Sequence, residues 1–173
     1  MVAGANITTT VLRMRARGMT WNRTPIFVYG AVASVALALP AFPVFFLAQV
    51  MSGMDRAIGT TFYNAKMGGS LWLYENLFWL MGHPEVYVIL IPAVAAMMEM
   101  APVFTRRPLF SFNVAVLGIA GIAGLSALVW AHHMFVTGLN PFLGAFFVLL
   151  TLLIAVPSAI KVFNWLTTLW RGS

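Results

Sequence analysis

The 173 residues are 61% hydrophobic and only 8% charged, too little charge to clothe a water-facing globule. Cysteine is absent, which excludes disulfides, thiolate zinc sites, iron–sulfur ligation and thiol catalysis within the chain and leaves its redox compartment open. A formal net charge of +6 would suit a nucleic acid, but the placement of the basic residues gives it another meaning.

Residues 1–24 are polar and basic, with Arg13, Arg15, Arg17 and Arg23 around a Gly18-Met-Thr-Trp21 turn. They lack the basic start and following apolar core of a cleavable signal peptide. A first apolar segment is predicted over 25–51, with Pro40 and Pro43 as kink points. Residues 52–70 read as a Gly-rich polar loop holding Asp55, Arg56 and Lys66. The second apolar segment covers 71–101, and a turn, Thr105-Arg-Arg-Pro108, leads to the third over 109–131. There Gly118, Gly121 and Gly124 recur with alanines, which permits close backbone approach. A loop over 132–140 precedes the fourth segment, 141–170, and the tail Arg171-Gly-Ser173. Each segment reaches the roughly 20 residues a bilayer requires. The expectation is an all-α polytopic membrane protein with four transmembrane helices, residues 1–173 forming a single membrane segment without internal repeats.

Four crossings put the five flanking regions alternately on two sides. The first, third and fifth carry Arg13, Arg15, Arg17, Arg23, Arg106, Arg107 and Arg171, whereas the second and fourth carry only Arg56 and Lys66. This positive-inside bias puts both chain ends on the cytoplasmic or matrix side. The charge therefore reports orientation in a lipid bilayer and calls for no nucleic acid.

Ionisable groups at membrane depth cost about 2.5–3.5 kcal/mol each on insertion scales. The stretch Trp79–Pro92 nevertheless packs His83, Glu85 and Tyr87 into five residues. His83 and Tyr87, four apart, share one helix face, while Glu85 points elsewhere. His132 and His133 close the third segment. Neighbours on a helix diverge by about 100°, so both reach one centre only if the backbone bends or ends there. An all-imidazole site suits copper, zinc or iron. The other use of such a pair is hydrogen bonding to loop carbonyls or headgroups. All three histidines of the chain lie in these two motifs, which weights the reading toward a metal. Glu85 reads as a proton carrier, desolvation favouring its neutral form, or as a structural carboxyl bonded beside Pro84. Lys161, with Ser158 three residues earlier on the same face, reads as a proton path through the inner half of the last helix, or as a snorkelling lysine. Glu75 is expected to be an exposed interfacial residue and Glu99 an inner-surface ion-pair partner of Arg106 and Arg107. Met97, Met98 and Met100 read as gap-fillers in apolar packing.

Gly82-His-Pro-Glu-Val-Tyr87, Trp130-Ala-His-His-Met-Phe135 and Pro157-Ser-Ala-Ile-Lys161 resemble, in order, the motifs of subunit I of haem-copper terminal oxidases of the cytochrome c oxidase type. Met14-Arg-Ala-Arg-Gly-Met19 and Val103-Phe-Thr-Arg-Arg-Pro108 are similar to that family's inner loops, so the likeness covers the whole chain. It implies that His83, His132 and His133 bind copper facing a high-spin haem, and that Tyr87 is covalently joined to His83. It also implies that Glu85 ends one proton channel, and that Lys161 and Ser158 belong to another leading toward Tyr87. Ser158 stands for the usual threonine and keeps the hydroxyl. Asn76 stands where many members have histidine, Leu80-Met81 replaces an aromatic pair, and Arg17 stands where proline is common. The family's haem-iron histidines lie before and after this region. The resemblance thus implies an internal fragment, four helices of a twelve-helix bundle, inactive by itself and without haem ligands.

The function implied is reduction of oxygen to water coupled to proton pumping. Partners would be the rest of subunit I, other oxidase subunits and cytochrome c as electron donor, to which Ala131 inclines the reading. The setting would be an energy-transducing membrane, a bacterial plasma membrane or the mitochondrial inner membrane. A quinol-oxidising member of the family and a non-enzymatic proton or metal transporter stay open as alternatives. A nitric-oxide-reducing relative is disfavoured by the Tyr87 and Lys161 pattern.

Overall fold

The computed structural model describes residues 2–172, which are all-helical, with no strand among them. Six α-helices follow in order: α1 Val2–Arg13, α2 Ile26–Ala57, α3 Leu71–Thr105, α4 Phe112–Ser126, α5 Pro141–Leu153 and α6 Ala155–Leu169. Short 3-10 turns at Trp21–Arg23, Ala65–Met67 and Trp130–Met134 join some of them. Three stretches are long and apolar enough to cross a membrane: α2, α3 and the combined run Pro141–Leu169. The third predicted crossing, 109–131, contains only the shorter apolar helix α4.

The boundaries differ from the sequence expectation for identifiable reasons. Helix α1 forms inside a stretch that reads as polar. Its small and apolar positions Ala3, Gly4, Ile7 and Val11 recur at helical spacing and face a groove against α2, but the run of three threonines after Ile7 masks that stripe. Pro40 and Pro43 do not interrupt α2, which is continuous for 32 residues. Proline is tolerated inside a membrane helix where neighbouring helices and local adjustment satisfy the carbonyls it frees. It also runs six residues past its expected end, because Asp55 organises the loop from the last turn. One carboxylate oxygen accepts from the Thr60 hydroxyl (2.6 Å) and the Phe62 amide (2.9 Å), and the other from the Tyr63 amide (2.9 Å).

Helix α3 starts at a Ser70 cap whose hydroxyl accepts from the Leu73 amide, and it ends where Arg106 takes a left-handed conformation (φ 53°). Helix α4 is much shorter than its expected 109–131. Fifteen residues rise about 22 Å, less than the roughly 30 Å of hydrocarbon. A turn and the 3-10 segment Trp130–Met134 follow it. The expected single helix 141–170 is broken at Ile154. Pro157 has no N–H to return to the carbonyl of Leu153, so the ladder lapses one turn before it.

Packing centres on α2, α3 and α4, whose buried Ile26, Leu37, Ile91, Ala95, Met98 and Ile119 form one cluster. Helices α2 and α3 approach so closely that a Cβ on Gly30 would fall 2.5 Å from the Cβ of Ala95. Gly118 and Gly121 admit α6, whose Pro157 would lie 3.5 and 3.0 Å from added Cβ atoms, whereas Gly124 faces open space. At the basic end, buried Asn164 and Thr168 of α6 hold the start of α4. The Asn164 amide nitrogen donates to the Ser111 carbonyl (2.7 Å), and the Thr168 hydroxyl accepts from the Phe110 amide (3.0 Å). Arg107 donates to the Trp170 carbonyl.

Glu99 does not serve as the ion-pair partner expected for Arg106 and Arg107. Its carboxylate accepts from the Phe27 amide (3.2 Å), 72 residues away in sequence. Helix α2 begins at Pro25 with no side-chain cap of its own, and an anion at a helix N-terminus is favourable.

Asp55→Ala in the full-length protein should free the Phe62 and Tyr63 amides. Hydrogen exchange over residues 60–63 should then accelerate while the interior of α2 and α3 stays protected. Unchanged exchange there would show that the loop is held by something else.

Candidate metal centre

The site begins with an irregularity in the backbone. Helix α4 ends at Ser126, and after a short turn the chain winds as a 3-10 helix over Trp130–Met134. Val129, Ala131 and Met134 are buried and anchor this segment, with Ala131 and Met134 packed against Phe147 of α5. His132 and His133, adjacent in sequence, lie in this segment with ring centroids 4.3 Å apart. His83, only 4% exposed, meets them from α3, its ring 4.5 Å from that of His132 and 5.3 Å from that of His133. One nitrogen from each imidazole lies within 4.8 Å of the others, the spacing of a set that can hold a metal ion. All three histidines of the chain are used.

Hydrogen bonding assigns the nitrogens. The Thr151 hydroxyl spends its proton on the Phe147 carbonyl (2.6 Å), so its oxygen can only accept from His132 Nδ1 (2.9 Å). That fixes the His132 tautomer and leaves its Nε2 lone pair free, the usual arrangement of a ligating histidine. His83 Nδ1 faces His133 Nε2 at 3.1 Å. His83 Nε2 is buried with no partner among the described residues, and leaving such an atom unpaired costs about 1–3 kcal/mol. Tyr87, one turn along α3, places its ring 4.9 Å from that of His83.

A second ring of contacts orients the ligands. The Trp79 indole stacks on His133 (centroids 4.0 Å, planes 4° apart), and its Nε1–H donates to Glu75 (2.9 Å). Glu75 is therefore half-buried and structural, where the sequence suggested an exposed interfacial residue. The Trp130 Nε1–H donates to the Asn76 side-chain oxygen (3.3 Å), tying the 3-10 segment to α3 two residues before His132. Thr151, Glu75 and Asn76 carry no motif signal of their own. Only an imidazole needing an acceptor for its second nitrogen, or an indole needing one for its N–H, points to them.

The other candidate residues lie apart from the trio. Glu85 is exposed, on the side of α3 away from His83 and Tyr87. Lys161 and Ser158 are half-buried on α6. The lysine faces Leu90, Ile91 and Val94 of α3, one to two turns beyond Tyr87 toward the basic end. No charged partner faces Lys161 among the described residues.

Residues 1–173 match the family model described as cytochrome c and quinol oxidase polypeptide I. The chain is 43% identical over its whole length to cytochrome c oxidase subunit 1 of Bacillus subtilis, covering 28% of that protein. It is 42% identical over 99% of its length to ubiquinol oxidase subunit 1 of Acetobacter aceti, covering 26% of it. It is 45% identical over all of its length to a probable cytochrome c oxidase subunit 1-alpha of Streptomyces avermitilis, covering 29% of it. The chain thus spans less than a third of the length of these relatives.

Replacing Thr151 by Val keeps the side-chain shape and removes the acceptor for His132. In the full-length protein it should weaken metal held by the trio by about 10–100-fold in a chelator competition, with Thr151→Ser restoring most of the loss. Equal retention in the Val variant would show that Thr151 does not orient the ligand.

Proposed function

The chain belongs to the family of cytochrome c and quinol oxidase polypeptide I, and from that membership we propose that it is the central stretch of the catalytic subunit of a respiratory terminal oxidase. The complete enzyme reduces oxygen to water at a haem–copper centre in an energy-transducing membrane, most naturally a bacterial plasma membrane, and couples the reaction to proton pumping. The observation that carries this reading is the convergence of every histidine in the sequence, from two separate elements, on one point beside Tyr87.

His83 through Nδ1, and His132 and His133 through Nε2, would hold the copper. The donor set is all-imidazole, one ligand is fixed in the ligating tautomer by Thr151, and two of the three ligand nitrogens already face each other. Copper held there would supply one-electron redox chemistry. The haem's iron ligands come from elsewhere in the subunit, since no fourth histidine exists in this chain. The buried, unpartnered His83 Nε2 beside the Tyr87 ring supports the covalent His–Tyr link that the resemblance implies. In that role Tyr87 supplies an electron and a phenolic proton to the reacting oxygen.

Lys161 and Ser158 relay protons from the basic end of the bundle toward Tyr87. This is supported by Lys161 lining the space beside Leu90 and Ile91, one turn from the phenol. Glu85, on the other side of α3, serves a separate route whose walls lie outside this chain. The basic residues support the orientation in which the Arg106–Arg107 end faces the cytoplasm. Cytochrome c is the proposed electron donor and the other oxidase subunits are the partners. A quinol donor is the second reading, because relatives named for both donors match the chain equally well.

His132→Ala in the full-length subunit should abolish copper binding and oxygen consumption while leaving the haem content in place. Parental copper content together with parental oxygen consumption would overturn the reading.

A further inference from the structure

Lys161 sits where two cavities meet. The larger, about 140 Å³, is lined by Val94, Met97 and Met98 of α3 and by Val162 and Trp165 beside the lysine on α6. The smaller extends along Leu90 and Ile91 toward the turn that carries Tyr87. A third space opens at the basic end of the bundle, a groove of about 370 Å³ whose walls include Arg23, Thr24 and Glu99. Met98 is the one residue that lines both this groove and the larger Lys161 cavity. It is 1% exposed and packed in the α2–α3–α4 core.

The sizes and linings decide what this arrangement does. At about 30 Å³ of liquid per water, the Lys161 cavity has room for several molecules. A buried water, however, needs two to four polar partners, and apolar cavities of such size stay dry. The only polar groups on this lining are the Lys161 amine and the Trp165 indole. Protons move along water or along polar side chains, and here α3 offers neither a hydroxyl nor a carboxyl between Glu99 and the cavity. The residue common to both linings is an unbranched thioether with three rotatable bonds, among the most adaptable of apolar side chains.

We propose that Met98 is the gate of the Lys161 proton path: buried, it seals the lysine cavity from the Glu99 groove, and its rotation admits the water that carries protons inward. The inference rests on the reading of Lys161 as a proton carrier. A hydronium from solution at the basic end passes along the admitted water. The Lys161 amine, neutral after handing its proton toward Tyr87, takes up that proton, and water is left behind.

The absence of native cysteine in this stretch supplies the test. In the full oxidase, reconstituted in sealed vesicles with other cysteines removed, Lys161→Cys is treated with a small cationic methanethiosulfonate added on the basic-end side. Adding Met98→Ala should raise the labelling rate at least tenfold from that side alone, and Met98→Leu should leave it within about twofold of the parent. The haem spectrum and copper content report folding, and if the Ala variant loses them, Met98→Val carries the same expectation. In the enzyme that retains Lys161, Met98→Ala should speed proton uptake on reduction of the metal centre severalfold, while Lys161→Met should slow it at least tenfold. Labelling that Met98→Ala leaves unchanged, or raises equally from both sides, overturns the gate. Proton uptake that Lys161→Met leaves at the parental rate overturns the carrier reading and the gate with it. A slow Lys161→Met enzyme in which Met98→Ala changes neither labelling nor uptake overturns the gate alone.

Discussion

An α-helix sends adjacent side chains about 100° apart, so no continuous helix can turn His132 and His133 onto one centre. The site therefore depends on α4 stopping at Ser126, well short of the bilayer's thickness, and on the irregular turn before Trp130 that re-aims the chain. The 3-10 winding after it, at about 3.0 residues per turn, would by itself spread neighbours by about 120°. Irregular backbone at membrane depth is tolerated only where protein surrounds it and its polar groups are satisfied. Here buried Val129, Ala131 and Met134 provide the enclosure, and the His132 amide bonds to the Val129 carbonyl (3.2 Å). The segment after α4 that departs from α-helix is also the one that carries two of the three candidate ligands.

That segment is held from several directions, and each hold acts on a different part of it. Helix α5 contributes Thr151, which fixes one imidazole nitrogen, and Phe147, whose carbonyl fixes Thr151 in turn. Helix α3 contributes the Glu75-braced Trp79 ring lying flat on His133, and Asn76 on the Trp130 indole. It contributes His83 itself from the same face. Three imidazoles on flexible loops would lose considerable rotamer freedom on meeting a metal. Here much of that ordering is built into the packing, which is the usual way a rigid donor set is prepared.

Much of this was legible in the sequence. Length and apolarity identify the α2, α3 and 141–169 crossings, and the clustering of costly polar groups in two motifs identifies the trio. The 3.6-residue repeat was enough to separate Glu85 from His83 and Tyr87. What escaped has no local signature. Thr151 and Glu75 look like an ordinary helical threonine and an interfacial carboxylate until a histidine and a tryptophan need acceptors. Glu99 lies close to Arg106 and Arg107 in sequence, yet it bonds a backbone amide 72 residues away. The break at Ile154 was signalled by Pro157, but Pro40, Pro43, Pro84 and Pro92 sit inside continuous helices, so proline by itself does not predict the interruption. The short α4 was hidden because its apolar composition continues unchanged through the turn that ends it.

The bond from the Phe27 amide to Glu99 has a consequence for how the chain is assembled. Helix α2 is made before α3, with Pro25 at its start and no side-chain cap of its own. The Phe27 amide finds its anion only after α3 has been made. The Gly30–Ala95 approach, a few residues deeper, cannot form earlier either. The start of α2 and the close approach at Gly30 are thus both completed by α3, and α2 does not reach its final contacts as a separate span.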